Sequence, residues 1–353
     1  MDPLNQNQLN KNRPILFIVF ISVLALLGIV AGVNLIYSSV QELPQQSSSQ
    51  LSQQPNQVTS GHVIANDDGS KMVVQDSFVK NTSNLNYDSN SSNIQTPKPD
   101  ALTAAAYLVG NVKTGKIYLS SDIDKVLPVA SMSKLMTAIV ATNKFTSTTT
   151  IEITPADMSV ATDTSLIGAG EKFSLKEILY PLLLNSSNIA AEAIASTYVG
   201  TSTSTSTSIF TSRLAFLSDM SSTAWEIGMP TTYFADPSGL DEHNQASAND
   251  IFVLAQYLYS SRPDILAITR VAHYSVATTT DHGAHSFDSI HPFVNDSRFI
   301  GGKTGRTTSA GETMLTMLNI SGQPIAFIVL HSDFGARALD TNLLIKKYLE
   351  LGI

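Results

Sequence analysis

The stretch Pro128-Val-Ala-Ser-Met-Ser-Lys-Leu-Met-Thr-Ala-Ile-Val-Ala-Thr-Asn-Lys144 constrains this chain more than any other. Met132, Leu135, Met136, Ile139 and Val140 leave little polar face on a helix, so the segment is expected deep in a core. Within it stand Ser131 and Lys134, three residues apart. On a helix that spacing puts both side chains on one face. A serine hydroxyl is a weak nucleophile until a neighbouring base takes its proton. A lysine kept unprotonated by burial or by another cation can be that base. The stretch alone reads equally well as a buried helix with an incidental Ser and Lys.

The chain has 353 residues, net charge -8 and no cysteine. The length suits one large or two ordinary domains. Without cysteine there is no disulfide framework, thiol nucleophile or thiolate metal site. With no long basic run, nucleic acid is not an expected partner. No cofactor is implied.

Residues 1–13 are polar and end in Lys11 and Arg13, and no charge follows from Pro14 to Gln41. Sixteen residues between Ile15 and Tyr37 are Leu, Ile, Phe or Val. About 20 such residues span a bilayer as a helix, and insertion of this set is favoured by roughly 5 to 10 kcal/mol. We therefore expect a cytoplasmic tail at 1–13 and a transmembrane anchor at 14–37. Lys11 and Arg13 are expected to remain inside and the rest of the chain outside. A cleaved leader is the rival; its apolar region is usually about 7 to 15 residues with small residues at the cut. Residues 38–98 are rich in Ser, Gln and Asn, a composition that cannot offset chain ordering. They are expected to form a flexible linker, with a short ordered piece at Lys71-Met-Val-Val-Gln75.

From 99 to 353 the pattern becomes globular. Ala104–Gly110 and Lys116–Ser120 read as a hairpin around Asn111–Gly115. Ser174-Leu-Lys-Glu177 is a capping box opening a helix through Leu184. Helices are expected at Asn188–Tyr198, Phe210–Ile227, Ser247–Tyr259 and Leu339–Leu351, and strands at Phe299–Gly305, Thr313–Ile320 and Ile325–His331. Thr201–Ser208 reads as a surface insertion, Asp236-Pro-Ser-Gly239 as a turn, and Trp225 as core. Strands, then helices, then strands again predict an α+β fold. A helical subdomain would be inserted into a mostly antiparallel sheet flanked by helices.

Two further triplets fall in informative places: Ser186-Ser-Asn188 at a helix start after Pro181-Leu-Leu-Leu-Asn185, and Lys303-Thr-Gly305 on a strand. Each pattern alone is weak. Ser77-Phe-Val-Lys80, Ser91-Ser-Asn93 and Lys113-Thr-Gly115 repeat all three, but in the linker and in a hairpin turn. Only the set Ser131/Lys134, Ser186/Asn188 and Lys303/Thr304/Gly305 falls on a buried helix, a helix start and a strand. That set matches the combination found in penicillin-binding proteins and class A β-lactamases. Asp281, His282, His285 and His291 cluster in a polar run without helical His spacing, so no metal site is expected.

Around these triplets the outer domain resembles the serine-type D-alanyl-D-alanine carboxypeptidases, the low-molecular-mass penicillin-binding proteins. The resemblance is carried by Pro128–Thr137, Leu182–Glu192, Phe234–Asp241 and Gly301–Gly311, and it covers roughly 101–353. It implies the DD-peptidase/β-lactamase-like fold. It also implies that Ser131 forms an acyl-enzyme on peptidoglycan stem peptides ending in D-Ala-D-Ala, or on β-lactams. Lys134 would be the base, Lys303 would depress its pKa, and Ser186 would relay a proton to the leaving amine. Asn188 would bind the substrate backbone, and Lys303 with Thr304 the terminal carboxylate. Gly305 would let the strand approach the substrate, and the N–H groups of Ser131 and Arg306 would form an oxyanion hole. Two residues depart from the family pattern. Ser187 replaces a usual glycine, adding a side chain near the cleft that bears on the substrate range; Arg306 adds positive charge beside the third motif. No Glu-x-x-Leu-Asn segment of the β-lactamase kind lies between Asn188 and Lys303. A D,D-endopeptidase would carry the same residues, and a non-enzymatic wall-binding or penicillin-sensing module would tolerate loss of Ser131 or Lys134.

On alkaline carbonate washing the full chain is expected to stay with the membrane, and a chain starting at Ser38 to be released. Full-length protein in the supernatant would contradict the anchor.

Overall fold

The structure, a computed structural model, describes residues 62–65, 71–74, 102–159, 165–198 and 209–352. The expected tail, anchor and Thr/Ser insertion lie outside the described residues. Two units separate, residues 1–81 and 82–353. In the first, β1 (His62–Ala65) pairs antiparallel with β2 (Lys71–Val74). Within the stretch expected to be a linker, the ordered piece expected at Lys71 is one strand of this pair.

The second unit is built on five strands: β3 (Ala106–Asn111), β4 (Ile117–Ser121), β11 (Phe299–Thr307), β12 (Gly311–Ile320) and β13 (Gln323–Ser332). Their order is β11-β12-β13-β3-β4, antiparallel throughout. The last strand of the chain thus pairs with the first of this unit, Ile325 opposite Asn111 and Leu330 opposite Ala106. Among the described residues, the helices read from the sequence as an insertion lie between β4 and β11.

Strand periodicity explains why the sheet is covered on both faces. Along β13, Ile325, Phe327 and Val329 join one buried cluster, while Ala326, Ile328 and Leu330 join the other. Successive strand side chains point to opposite faces, so a run apolar at every position demands cover on both. One face takes the terminal helix, Arg337–Glu350, through Leu344, Ile345 and Tyr348. Its buried Asp340 also holds the start of the unit, accepting from Thr103 N and Ala104 N, both at 2.9 Å.

The other face takes the helical part. Helix α1 (Ser133–Lys144) is buried from Ser133 to Ala141. Helix α2 (Leu175–Leu183) begins at the expected capping box, with Ser174 and Glu177 bonding reciprocally. Helix α3 (Asn188–Thr197), α4 (Ile209–Glu226), α5 (Ala248–Ser261) and α6 (Pro263–Thr269) follow. The short α6 escaped the sequence reading, as did three two-stranded pairings: β5 (Leu127–Pro128) with β8 (Gln245–Ala246), β6 (Thr150–Glu152) with β7 (Lys172–Ser174), and β9 (His273–Val276) with β10 (His285–Asp288). At two to four residues each they are too short to show alternation. The run read as a polar loop is therefore partly a hairpin.

Trp225 corrects an expectation: it is 70% exposed, on the outer side of α4. Ile139 is wholly buried. Ile139→Ala is expected to cost about 2 to 5 kcal/mol in chemical unfolding, and Trp225→Ala less than about 0.5 kcal/mol. Equal losses would contradict this placement.

Candidate active site

Ser131 is not on the α-helix itself. It lies in a 3-10 turn, Ala130–Met132, that runs directly into α1. A tighter turn still leaves residues three apart on one side, and Lys134 Nζ reaches Ser131 Oγ at 2.8 Å. Ala130 has a left-handed backbone, φ 50°. Ser133 Oγ donates to the Ala130 carbonyl at 2.8 Å and holds that shape.

Two glycines make room for this turn. A Cβ on Gly239 would lie 2.0 Å from the Ala130 carbonyl oxygen, and its φ is +86°. A Cβ on Gly305 would lie 2.4 Å from Thr313 Oγ1, 2.8 Å from Val129 O and 3.0 Å from the Ala130 side chain. The packing of β11 against β12 and the serine turn thus gives a reason for glycine at 305 besides the expected approach to a substrate.

Lys134 is fully buried. Besides Ser131 Oγ, its Nζ donates to Asn188 Oδ1 at 2.7 Å and to the Ser238 carbonyl at 2.6 Å. A carbonyl oxygen can only accept, whereas a hydroxyl can also donate. Two of the three partners therefore demand an N–H, and the third, Ser131, can give a proton to an amine lone pair. The expected turn at Asp236–Gly239 is thus part of the site, because it presents Ser238 O.

Ser186 sits on the link between α2 and α3, and Asn188 is the first residue of α3. Ser186 has a left-handed backbone, φ 66°. Such a conformation costs of order 1 to 3 kcal/mol for a side-chain-bearing residue and collects at functional sites. Ser186 Oγ accepts from Lys303 Nζ at 2.9 Å. The structure joins Ser186 to Lys303, where the expected relay ran from Lys134.

Ser187 is turned away from the expected place beside the cleft. Its side chain is buried, accepts from Ala190 N at 3.0 Å as the cap of α3, and lies 2.9 Å from Ser165 Oγ.

Lys303 and Thr304 are both buried on β11, the edge strand. Lys303 Nζ also donates to Thr304 O at 2.9 Å. Burial, then the charges of Lys134 and Arg337, hold the Lys303 ammonium well below the ordinary lysine range. Arg306 is exposed and pairs across the ladder with Glu312. The sequence reading missed Arg337, at the start of the terminal helix. Its Nη1 donates to Gly305 O at 3.0 Å, adding a guanidinium behind the third motif. Nothing local marks it, since its partner lies 32 residues away.

The histidines do not form one group. His282 stacks on Phe173, and His285 Nε2 lies 2.8 Å from Glu171. His291 is behind β11, its Nδ1 accepting from Phe293 N at 3.2 Å and its Nε2 donating to Leu315 O at 3.1 Å. Among the described residues no cluster of ligands could hold a metal ion.

A buried serine–lysine pair, a second serine–lysine pair and an edge strand converge, a geometry suited to acyl transfer. Residues 93–333 match the peptidase S11 family, D-alanyl-D-alanine carboxypeptidase. The chain belongs to that family. It is accordingly a hydrolase of the serine DD-peptidase class with a penicillin-binding fold. A D-alanyl-D-alanine endopeptidase of Pseudomonas aeruginosa is 26% identical over 264 residues, covering 72% of this chain and 80% of the relative. The carboxypeptidase DacB2 of Mycobacterium tuberculosis is 24% identical over 241 residues, 67% and 77% of the two chains. In fold, the chain is similar to the Streptomyces K15 DD-transpeptidase, with a TM-score of 0.64, 20% identity, and cover of 71% and 98%. It is likewise similar to a D-alanyl-D-alanine carboxypeptidase of M. tuberculosis, with a TM-score of 0.62, 20% identity, and cover of 72% and 94%.

Burial lowers the pKa of His291 from 6.5 to about 3. The unfolded chain then binds the proton that the folded one refuses, so this contribution is present above pH 6.5 and lost as pH falls toward 3. The stability gap between wild type and His291→Gln is expected to narrow between about pH 7 and about pH 4.5. A gap that stays constant in chemical unfolding would contradict a neutral buried imidazole.

Proposed function

We propose that this chain is a serine D-Ala-D-Ala carboxypeptidase that trims the terminal D-alanine from peptidoglycan stem peptides through an acyl-enzyme. The observation that carries this reading is the set of partners around Lys134 Nζ, two carbonyl acceptors and the Ser131 hydroxyl. In the amine form the two N–H groups stay on Asn188 and Ser238, and the lone pair faces Ser131.

Ser131 Oγ attacks the carbonyl carbon between the two D-alanines. The Oγ–C bond forms as the proton passes to Lys134, and the N–H groups of Ser131 and Arg306 receive the developing oxyanion. The C–N bond then breaks, and the leaving amine takes a proton from Ser186, which Lys303 resupplies. Lys303, Thr304 and the Arg337 charge behind them favour a terminal carboxylate, and Asn188 holds the substrate backbone. Water deacylates the enzyme by the reverse sequence. A β-lactam would follow the first half of this path and stall. The segment 14–37 would hold the domain outside the cytoplasmic membrane; its support is the sequence alone.

A second reading has a specific support. The P. aeruginosa relative and one from Escherichia coli, 26% identical over 252 residues, are named D-alanyl-D-alanine endopeptidases. In that reading the leaving amine belongs to a cross-linking residue, and the same side chains act.

Fluorescent penicillin is expected to label the protein covalently, and Ser131→Ala to abolish labelling; persistent labelling would remove Ser131 as nucleophile. Turnover is expected to fall by on the order of 10⁶. Mass spectrometry of wall peptides after incubation separates the two readings. Loss of one D-alanine supports carboxypeptidase, cut cross-links support endopeptidase, and unchanged peptides overturn both.

A further inference from the structure

Asn244 is fully buried, and its side chain bonds to Ala235, Asp236 and Ser133, which are not triplet residues of the three motifs. An asparagine amide offers two donors and an oxygen with two lone pairs. All are used here. Oδ1 accepts from Ala235 N at 2.8 Å and Asp236 N at 3.0 Å. Nδ2 donates to Asp236 O at 2.8 Å and to Ser133 Oγ at 2.9 Å. The Asn244 backbone carbonyl accepts from Val129 N at 2.9 Å.

Each bond ends on a segment that shapes the serine–lysine pair. Ser133 lies between Ser131 and Lys134, and its hydroxyl holds the left-handed Ala130 by the 2.8 Å bond to the Ala130 carbonyl. Asp236 organises the opposing turn. Its Oδ1 accepts from Ser238 N at 2.6 Å and Ser238 Oγ at 2.9 Å, and its carboxylate also accepts from Gly239 N and Asp241 N. That turn presents Ser238 O to Lys134 and lays Gly239 against Ala130. Thr137 of α1 adds a parallel tie by donating to Pro237 O at 2.5 Å. One amide therefore stitches the segment carrying nucleophile and base to the segment carrying the base's backbone acceptor.

We propose that Asn244 is a positioning residue for acylation, acting through Ser133 and Ser238 to fix Lys134 Nζ against Ser131 Oγ. The proposal rests on the reading of Ser131 as nucleophile and Lys134 as base. It makes Asn244 matter to the chemical step and not to substrate affinity, because no atom of its side chain reaches solvent.

The test is penicillin acylation of the full chain in detergent, resolved into the dissociation constant of the first complex and the acylation rate constant. Variants are Asn244→Ala, Ser133→Ala and the double variant, each checked by circular dichroism. Both single variants are expected to lower the acylation rate constant roughly ten- to hundredfold, with the dissociation constant within about twofold of wild type. The double variant is expected to fall no further than the worse single one, because either change cuts the same stitch. A folded Asn244→Ala that acylates at the wild-type rate would overturn the proposal. So would losses that multiply in the double variant, or losses confined to the dissociation constant. Ser133→Ala removes only one end of the stitch; if it fails to fold, the stitch is structural and the proposal is also overturned. Wild-type labelling of Ser131→Ala would instead defeat the underlying nucleophile assignment, leaving the two failures distinguishable.

Discussion

A primary amine with no exposed surface sits at the centre of this domain, and the rest of the structure answers its needs. Burying such a group unpaired is costly, and the cost is offset only where each N–H finds an acceptor. Lys134 finds them on three separate pieces of chain: its own turn through Ser131, the start of α3 through Asn188, and the turn at 236–239 through Ser238. Two of these acceptors are carbonyl oxygens that cannot donate. The third is a hydroxyl that can, so the pairing that satisfies the buried amine also aims a proton donor at it. Stability and reactivity share one set of contacts.

The fold supplies those contacts by close approach. The sheet's edge strand and the 236–239 turn press on the serine turn from two directions, and each does so at a glycine. The left-handed residues Ala130 and Ser186 flank the same space. Backbone strain of this kind persists only where surrounding packing over-determines it, and here the packing is a sheet buried on both faces with helices locked to it. Lys303 brings a second buried amine from the edge strand, bonded to Ser186. The site is thus two serine–lysine pairs held by different elements.

Features that are local in sequence were legible in it. The capping box at Ser174, the consecutive strands after Phe299 and the hairpin around Asn111 follow from apolar runs, spacing and turn chemistry. The site triplets separate from their copies because only one set has the sequence context of a buried helix, a helix start and a strand. Features set by distant partners were not legible. Position suggests that Ser187 lies near the cleft, but its hydroxyl finds Ser165 and Ala190 inside. Residue type suggests core for Trp225, although its place on α4 faces solvent. The crowding of Gly305 by Thr313, Val129 and Ala130 has no signal in the local sequence. Arg337 and Asn244 carry no motif, and their importance lies in partners 32 and 111 residues away. The pairing of 62–65 with 71–74 shows that Ser/Asn-rich surroundings do not forbid a short strand pair.

The central assignment is tested most directly by a crystal structure of the protein trapped with a β-lactam. Expected is continuous density from Ser131 Oγ to the acyl carbon, the acyl oxygen between the N–H groups of Ser131 and Arg306, and the ligand carboxylate against Thr304 and Lys303. An adduct on another residue, or a carboxylate turned away from the edge strand with Lys134 swung off Ser131, would contradict it.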